Sequence, residues 1–285
     1  MLGKLIKHEF LDTYKLLCVY YVALAALTVL SAISINSLNN SLNKPNNYSF
    51  IFAIFSAVVS IAYTLILSLL GLITILALCS HFNKTMYGDR GYLTHILPVS
   101  KGSILAAKYI VSIVWCIISM LLIILSIMVF CSFESGVNLF VTSWEEFIGI
   151  PWEYLDAYLE NAFGIKLIPF IGLFLLMILV TILHIFSFVW ACISIGQLAN
   201  EKRTLLGVTS GIFLLFAEYF IKRWIRTILK LSMYGDMLEA LIAPGSNHPV
   251  GNLSVITSGI IISLAFFAVE TFATWYISSK KLNLA

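Results

Sequence analysis

The chain has 285 residues, of which 60% are hydrophobic and only 11% are charged. Soluble domains carry roughly 25% charged residues and about 45–50% apolar ones, so a chain this apolar is built to be solvated partly by lipid. The net charge of +3 is small and the basic residues form no single stripe, which excludes a nucleic-acid-binding protein.

The N-terminal segment is amphipathic, because Leu2, Leu5, Ile6 and Phe10 share one face of a helix. This pattern predicts a helix over residues 1–15 that lies on the cytoplasmic surface of the membrane. We expect no cleavable signal peptide, since this segment is too charged and the apolar run behind it is long enough to remain as a span.

Six apolar runs are long enough to cross about 30 Å of hydrocarbon, which requires about 20 helical residues. They cover residues 16–35, 51–79, 104–131, 167–198, 204–220 and 253–278. The second and fourth exceed one span and should tilt or extend beyond the bilayer, whereas the fifth is short. We therefore predict one all-α integral membrane domain over residues 1–285, with six transmembrane helices and with N-terminal, loop and outer interfacial helices.

Lys and Arg are more numerous in the loops and ends on the side of the N-terminus, which predicts that both termini are cytoplasmic. The cluster of Lys222, Arg223, Arg226 and Lys230 falls on the opposite side and departs from this rule. Its basic and apolar residues alternate at helical spacing. The pattern indicates an interfacial helix within an outer or re-entrant segment over residues 221–252, either as a lipid anchor or as a site for anionic head groups.

Residues 132–166 are acidic and contain several aromatic side chains, so we predict an outer segment whose helices lie at the interface. The sequence Ser143-Trp144-Glu145-Glu146 fits a helix capping box. Pro151 is then expected to start a second short helix.

The sequence contains no recognisable motif for a nucleotide-binding, catalytic or metal site. Gly88-Asp89-Arg90-Gly91 lacks the spacing, the Lys and the hydroxyl of a phosphate-binding loop, so any ATP must bind another chain. His8-Glu9 lacks the second His of a zinc protease motif. The five cysteines have no metal-site or redox spacing and are expected to be small buried hydrophobes. We predict no enzyme, no catalytic residue, no metal site and no cofactor bound by this chain.

Three ionisable residues fall within the apolar runs or at their ends: His184, Glu218 and Glu270. A charge at the bilayer centre costs at least about 2.5–3.5 kcal/mol, so such residues usually face other helices or a wet cavity. His184 and Glu270 are therefore candidates for a translocation path or a proton relay. The alternative is one structural hydrogen bond each, with Glu218 reaching the interface.

Gly207 and Gly211 open the fifth run with the four-residue spacing that lets two helix backbones approach closely. They are a possible dimer interface.

The loop over residues 81–103 contains Gly91-Tyr92-Leu93, then three residues, then Leu97-Pro98-Val99-Ser100. This phrase after the second span resembles the permease subunits of type-2 ABC exporters. The resemblance extends over most of the chain, including the leading Leu5-Ile6-Lys7-His8-Glu9-Phe10 helix and the six-span layout.

Membership of that family implies a cytoplasmic coupling helix that docks on a separate ATPase, which binds ATP and Mg²⁺. The implied coupling residues are Met86, Tyr87, Asp89, Arg90, Gly91, Tyr92, Leu93, Ile96, Leu97 and Pro98. An exposed apolar patch in such a loop needs a partner or the membrane surface. The family also implies a homodimer or heterodimer of permeases in the bacterial cytoplasmic membrane, in contact with lipid.

The resemblance implies export of a hydrophobic or amphipathic substrate, such as an antimicrobial peptide, a drug or a lipid-like molecule. The alternative is a membrane protein of another class, either a secondary carrier or an adaptor that recruits a soluble partner. A carrier is expected to have inverted repeats and broken spans, and the sequence shows neither.

Overall fold

The computed structural model describes residues 2–43, 49–88, 91, 96, 99–135, 151–199, 202–228 and 249–280. The regular secondary structure of these residues is entirely α-helical, as predicted. The helices are α1 (Leu2–Asn43), α2 (Ser49–Met86), α3 (Lys101–Ser135), α4 (Trp152–Phe163), α5 (Leu167–Gly196), α6 (Arg203–Ile228) and α7 (Pro249–Lys280).

All of these helices except α4 are long and apolar enough to cross a membrane, which confirms the prediction of six such helices. The qualifying stretches are Leu17–Asn36, Ala53–Met86, Lys101–Phe130, Leu167–Gly196, Arg203–Ile225 and Ile256–Ser279. Large apolar side chains cover their outer faces; Phe213 of α6, for example, is 73% exposed. Such a surface is compatible with lipid and not with water, so the chain is a multi-pass membrane protein.

Two predicted boundaries, at residues 15 and 220, are not helix ends. The N-terminal segment is no separate element, because α1 continues without interruption through residue 15 into the first apolar run. No Gly or Pro interrupts α1 after Gly3, and the helix ends just before Pro45, which disfavours helix at the preceding residue. In the same way α6 continues past residue 220 to Ile228, through part of the basic cluster.

The chain forms two compact units, the first of which comprises Met1–His81 and Ile110–Gly149. Inside this unit, hydroxyl groups join α1, α2 and α3. The Ser126 hydroxyl lies 2.8 Å from both Thr28 Oγ1 and Tyr63 OH, and Trp115 Nε1 donates to Thr13 Oγ1 at 2.7 Å. Small polar side chains of this kind let helices approach and bond across a lipid-solvated interface.

The second unit comprises Phe82–Tyr109 and Ile150–Ala285 and contains α4 to α7. Pro151 precedes the first residue of α4, as predicted, and Gly164 ends the helix with a φ of 72°, which favours glycine. The backbone N–H of Leu167 donates to Asp156 Oδ1 at 2.8 Å, so α4 caps the start of α5. The predicted capping box at residues 143–146 lies outside the described residues.

Candidate functional site

The site begins with the close approach of α5 and α6. A Cβ atom on Gly196 would lie 3.1 Å from the Cα of Gly207, and one on Gly211 would lie 3.4 Å from Cys192 Sγ. A step of four residues forward along α6 thus matches a step of four residues back along α5, which is an antiparallel register. Gly207 and Gly211, predicted as a possible dimer interface, therefore face α5 of the same chain.

The same register places two ionisable residues opposite each other. Glu218 lies seven residues beyond Gly211 on α6, and His184 lies eight residues before Cys192 on α5. Both steps are about two helical turns, so both side chains stay on the contacting faces. The close contact at the glycines thus sets the separation and register of α5 and α6 at which His184 and Glu218 face each other.

A third helix, α7, completes the cluster with Glu270. His184 Nε2 lies 3.4 Å from Glu218 Oε2 and 3.7 Å from Glu270 Oε1. Glu218 and Glu270 are only 7% and 5% exposed. One ligand atom from each of the three residues lies within 4.8 Å of the others, a grouping that could hold a metal ion.

Two neighbours fix the orientation of the carboxylates. The Ser187 hydroxyl, one turn beyond His184 on α5, donates a hydrogen bond to Glu270 Oε2. Lys222, one turn beyond Glu218 on α6, donates from Nζ to Glu218 Oε2 at 2.8 Å. The same ammonium lies 5.2 Å from the centre of the Phe266 ring, where the π face stabilises a cation.

The hydrogen bonding of the cluster is incomplete within the described residues. His184 Nε2 and Glu218 Oε1 are buried without a hydrogen-bond partner there. With both carboxylates ionised and the imidazole neutral, two negative charges face one ammonium, which leaves one negative charge uncompensated. A buried charge of this kind is costly, so the cluster is suited to take up one further proton or cation.

The sequence identified these residues singly and missed their proximity. Glu218 and Glu270 each accept a hydrogen bond, from Lys222 and Ser187, whereas His184 Nε2 makes none with the described residues and faces both carboxylates. The sequence also missed Lys222 as part of the site, although its four-residue spacing from Glu218 is a signal for an ion pair on one helix.

The rest of the basic cluster lies apart from this site or outside the described residues. Arg223 Nη1 donates to Tyr219 OH at 3.2 Å. The side chain of Arg226 and the whole of Lys230 are outside the described part of the chain.

The predicted coupling loop begins in a tightly packed position. Met86 is fully buried and Tyr87 is 8% exposed, and Tyr87 OH donates to Ser194 Oγ at 2.7 Å. Burial raises the pKa of Tyr87 to about 12, so this phenol remains a donor at physiological pH. A Cβ on Gly91 would lie 2.7 Å from the Met86 carbonyl oxygen, so the chain turns back closely here and needs glycine.

Farther along the loop, the side chain of Ile96 is 59% exposed. The remaining predicted coupling residues lie outside the described residues: Asp89, Arg90, Tyr92, Leu93, Leu97 and Pro98.

Aromatic contacts join the helices on both sides of the loop, α2 and α3, to α5. Phe82 at the end of α2 stacks on Trp190 with ring centres 4.4 Å apart and planes 5° apart. The ring of Tyr109, near the start of α3, lies tilted against the same indole, with ring centres 4.4 Å apart. Lys101 also donates to the Ser278 carbonyl oxygen of α7 at 2.7 Å. The loop is therefore anchored at its base to the helices that hold the buried cluster.

Helix α5 carries both features. His184 and Ser187 contribute to the cluster, and Trp190 and Ser194, one to three turns farther on, contact the loop base. Comparison with protein-family models, curated proteins and solved structures finds no match to this chain.

Proposed function

We propose that the chain is the membrane-spanning subunit of an ATP-driven exporter that moves a hydrophobic or amphipathic substrate. The ATPase is a separate chain, and two permeases work as a pair. Support comes from the loop phrase over residues 91–100, which resembles that of type-2 ABC permeases, and from six helices of spanning length. The observation that carries the proposal is the rigid attachment of the loop base to α5 through Phe82 and Tyr87.

In this mechanism the ATPase pushes or pulls on the exposed part of the loop, where Ile96 lies. Packed aromatic rings do not deform continuously, so the loop base and α5 move together. The displacement reaches the middle of α5, where His184 faces α6 and α7. Such a coupled shift of packed helices gates access between two states.

The test is recovery of an ATPase with the tagged protein from its native membranes in mild detergent, followed by measurement of ATP hydrolysis. The variant Ile96→Glu places a charge on an exposed apolar side chain of the loop. The matched control is Tyr154→Glu on α4, an aromatic side chain that is 74% exposed and predicted to lie on the opposite side of the membrane.

We expect an ATPase with the wild type and with Tyr154→Glu, and a loss of most of it with Ile96→Glu. Recovery of the ATPase that is unaffected by Ile96→Glu contradicts the assignment of the docking surface. If no ATPase is recovered even after crosslinking, the exporter proposal is wrong.

The buried cluster favours one second candidate, a carrier coupled to a proton or cation gradient. Carriers of this kind place broken helices around a midplane site. Helices α5 and α6 are unbroken over their described lengths, so the exporter is the better supported function. The carrier predicts vesicle transport that follows an imposed ion gradient without ATP.

An adaptor predicts a soluble partner whose binding does not respond to nucleotide.

A further inference from the structure

We propose that His184, Glu218 and Glu270 bind one divalent transition-metal ion of the Zn²⁺ class between α5, α6 and α7. This site goes beyond the proposed function and stands independently of it. It lies in the same compact unit as the loop base.

The donor set selects the class of ion. One imidazole and two carboxylates offer a nitrogen and two oxygens, and three protein ligands with an open fourth position are typical of reactive zinc sites. Alkali and alkaline-earth ions prefer oxygen ligands alone, whereas imidazole suits zinc and its neighbours in the transition series.

The two distances from His184 Nε2 to the carboxylates are close to those of a shared ion and too long for direct hydrogen bonds. Zinc bonds to nitrogen and oxygen measure about 2.0–2.2 Å, so the ligand atoms of a tetrahedron lie about 3.3–3.6 Å apart. His184 Nε2 lies 3.4 Å from Glu218 Oε2 and 3.7 Å from Glu270 Oε1. Hydrogen bonds from nitrogen to oxygen are usually 2.7–3.2 Å long, and both separations exceed that range.

Two buried atoms of the site, one on Glu218 and one on His184, have no hydrogen-bond partner among the described residues. Glu218 is only 7% exposed. Lys222 donates to its Oε2, and its Oε1 has no partner among the described residues. His184 Nε2 is likewise buried without a partner and faces both carboxylates. Lys222 therefore shares with the ion the Glu218 oxygen that faces His184, Oε2, while Oε1 remains as a second donor of the same carboxylate.

Ser187 supplies the support that ligating carboxylates need. Its hydroxyl bonds to Glu270 Oε2 and so turns Oε1 towards His184. Groups that orient a metal ligand in this way typically change metal affinity by about 10–100-fold when removed. The fourth position is left for water or for an anionic group of a substrate.

The test uses the full-length chain, stripped with a chelator and reconstituted in lipid nanodiscs. Zn²⁺ is titrated against a chromophoric competing chelator, and Co²⁺ is added separately to record its visible absorption. We expect one ion per chain at micromolar free metal or below, with the intense absorption of tetrahedral Co²⁺.

Loss of a ligand in His184→Asn or Glu270→Gln should weaken binding by at least about a hundredfold, and Ser187→Ala should weaken it by about tenfold. The matched control is His81→Asn, since His81 Nε2 lies 2.8 Å from Glu9 Oε2 in a histidine–carboxylate pair of the other unit. This control should bind zinc with unchanged affinity.

The variant Lys222→Met separates the proposal from simple misfolding. It removes a positive charge beside the ion and frees Glu218 Oε2, so zinc affinity should increase by at least about tenfold. Binding only at millimolar zinc, equal affinity in the ligand variants, or an octahedral Co²⁺ spectrum overturns the proposal. Absence of binding by both the wild type and Lys222→Met overturns it as well, and leaves the cluster as a proton site.

Discussion

Replacement of Gly196 by alanine tests how tightly α5 and α6 must pack. The new Cβ would lie 2.7 Å from the Arg203 carbonyl oxygen and 3.1 Å from the Cα of Gly207. Both neighbours are backbone atoms, which cannot swing aside as a side chain does. The helices must therefore separate by about 0.7 Å at the Arg203 oxygen to reach an ordinary contact of about 3.4 Å.

Three other glycines provide a graded series on the same two helices. A Cβ on Gly207 would meet the Cys192 carbonyl oxygen at 3.3 Å, and one on Gly211 would meet Cys192 Sγ at 3.4 Å. A Cβ on Gly172 would meet nothing within 4 Å. The steric cost should fall in that order.

We expect Gly196→Ala to lower the free energy of unfolding by about 1–3 kcal/mol, the usual cost of overpacking. Gly172→Ala should raise it by about 0.5–1 kcal/mol, because alanine loses less backbone entropy in a helix. Gly207→Ala and Gly211→Ala should fall between these values, where the steric cost and the helix gain oppose each other.

The assay is unfolding by sodium dodecyl sulphate in mixed micelles, followed by tryptophan fluorescence of the full-length protein. Gly172→Ala serves as the control, since it makes the same chemical change on α5 without a clash. Equal stability of Gly196→Ala and Gly172→Ala would refute the argument that backbone contact at the α5–α6 hairpin limits residue size.

Two further predictions use the same assay. Burial raises the pKa of Tyr87 from 10.0 to about 12, so the unfolded chain releases the phenol proton first. The contribution of Tyr87 to stability, present below pH 10, should therefore decline by about 2–3 kcal/mol towards pH 12, and Tyr87→Phe should lessen the decline of the wild type by that amount. Ser126→Ala should cost about 1 kcal/mol, because its hydroxyl bonds to both Thr28 and Tyr63 on other helices. Ser68→Ala should cost nothing measurable, since the Ser68 hydroxyl bonds to the Leu65 carbonyl oxygen of its own helix. Equal effects of the two serine changes would contradict this reasoning.

Sequence patterns predicted the helices correctly where neighbouring residues alone decide whether a helix forms or ends. Apolar length alone indicates the six long helices, because hydrocarbon thickness sets a minimum number of residues. Pro151 predicted the start of α4 to within one residue: it is the N-cap, and Pro is tolerated there because it has no backbone N–H to donate into a helix. Helix ends at residues 15 and 220 were predicted from a change in polarity, and no helix end occurs there, because polarity alone does not break a helix.

The sequence by itself determined that this protein is built of apolar helices long enough to span a membrane. It also identified His184, Glu218, Glu270, Gly207 and Gly211 as residues that need a structural reason. Only the tertiary structure showed that the three ionisable residues form one cluster and that the glycines pack the helices that carry it. Gly207 and Gly211 show which residues permit close approach but not which helix approaches them, and no spacing along the chain links α7 to α5. The cluster depends on the register of three helices, which is a property of their packed surfaces and not of any one segment.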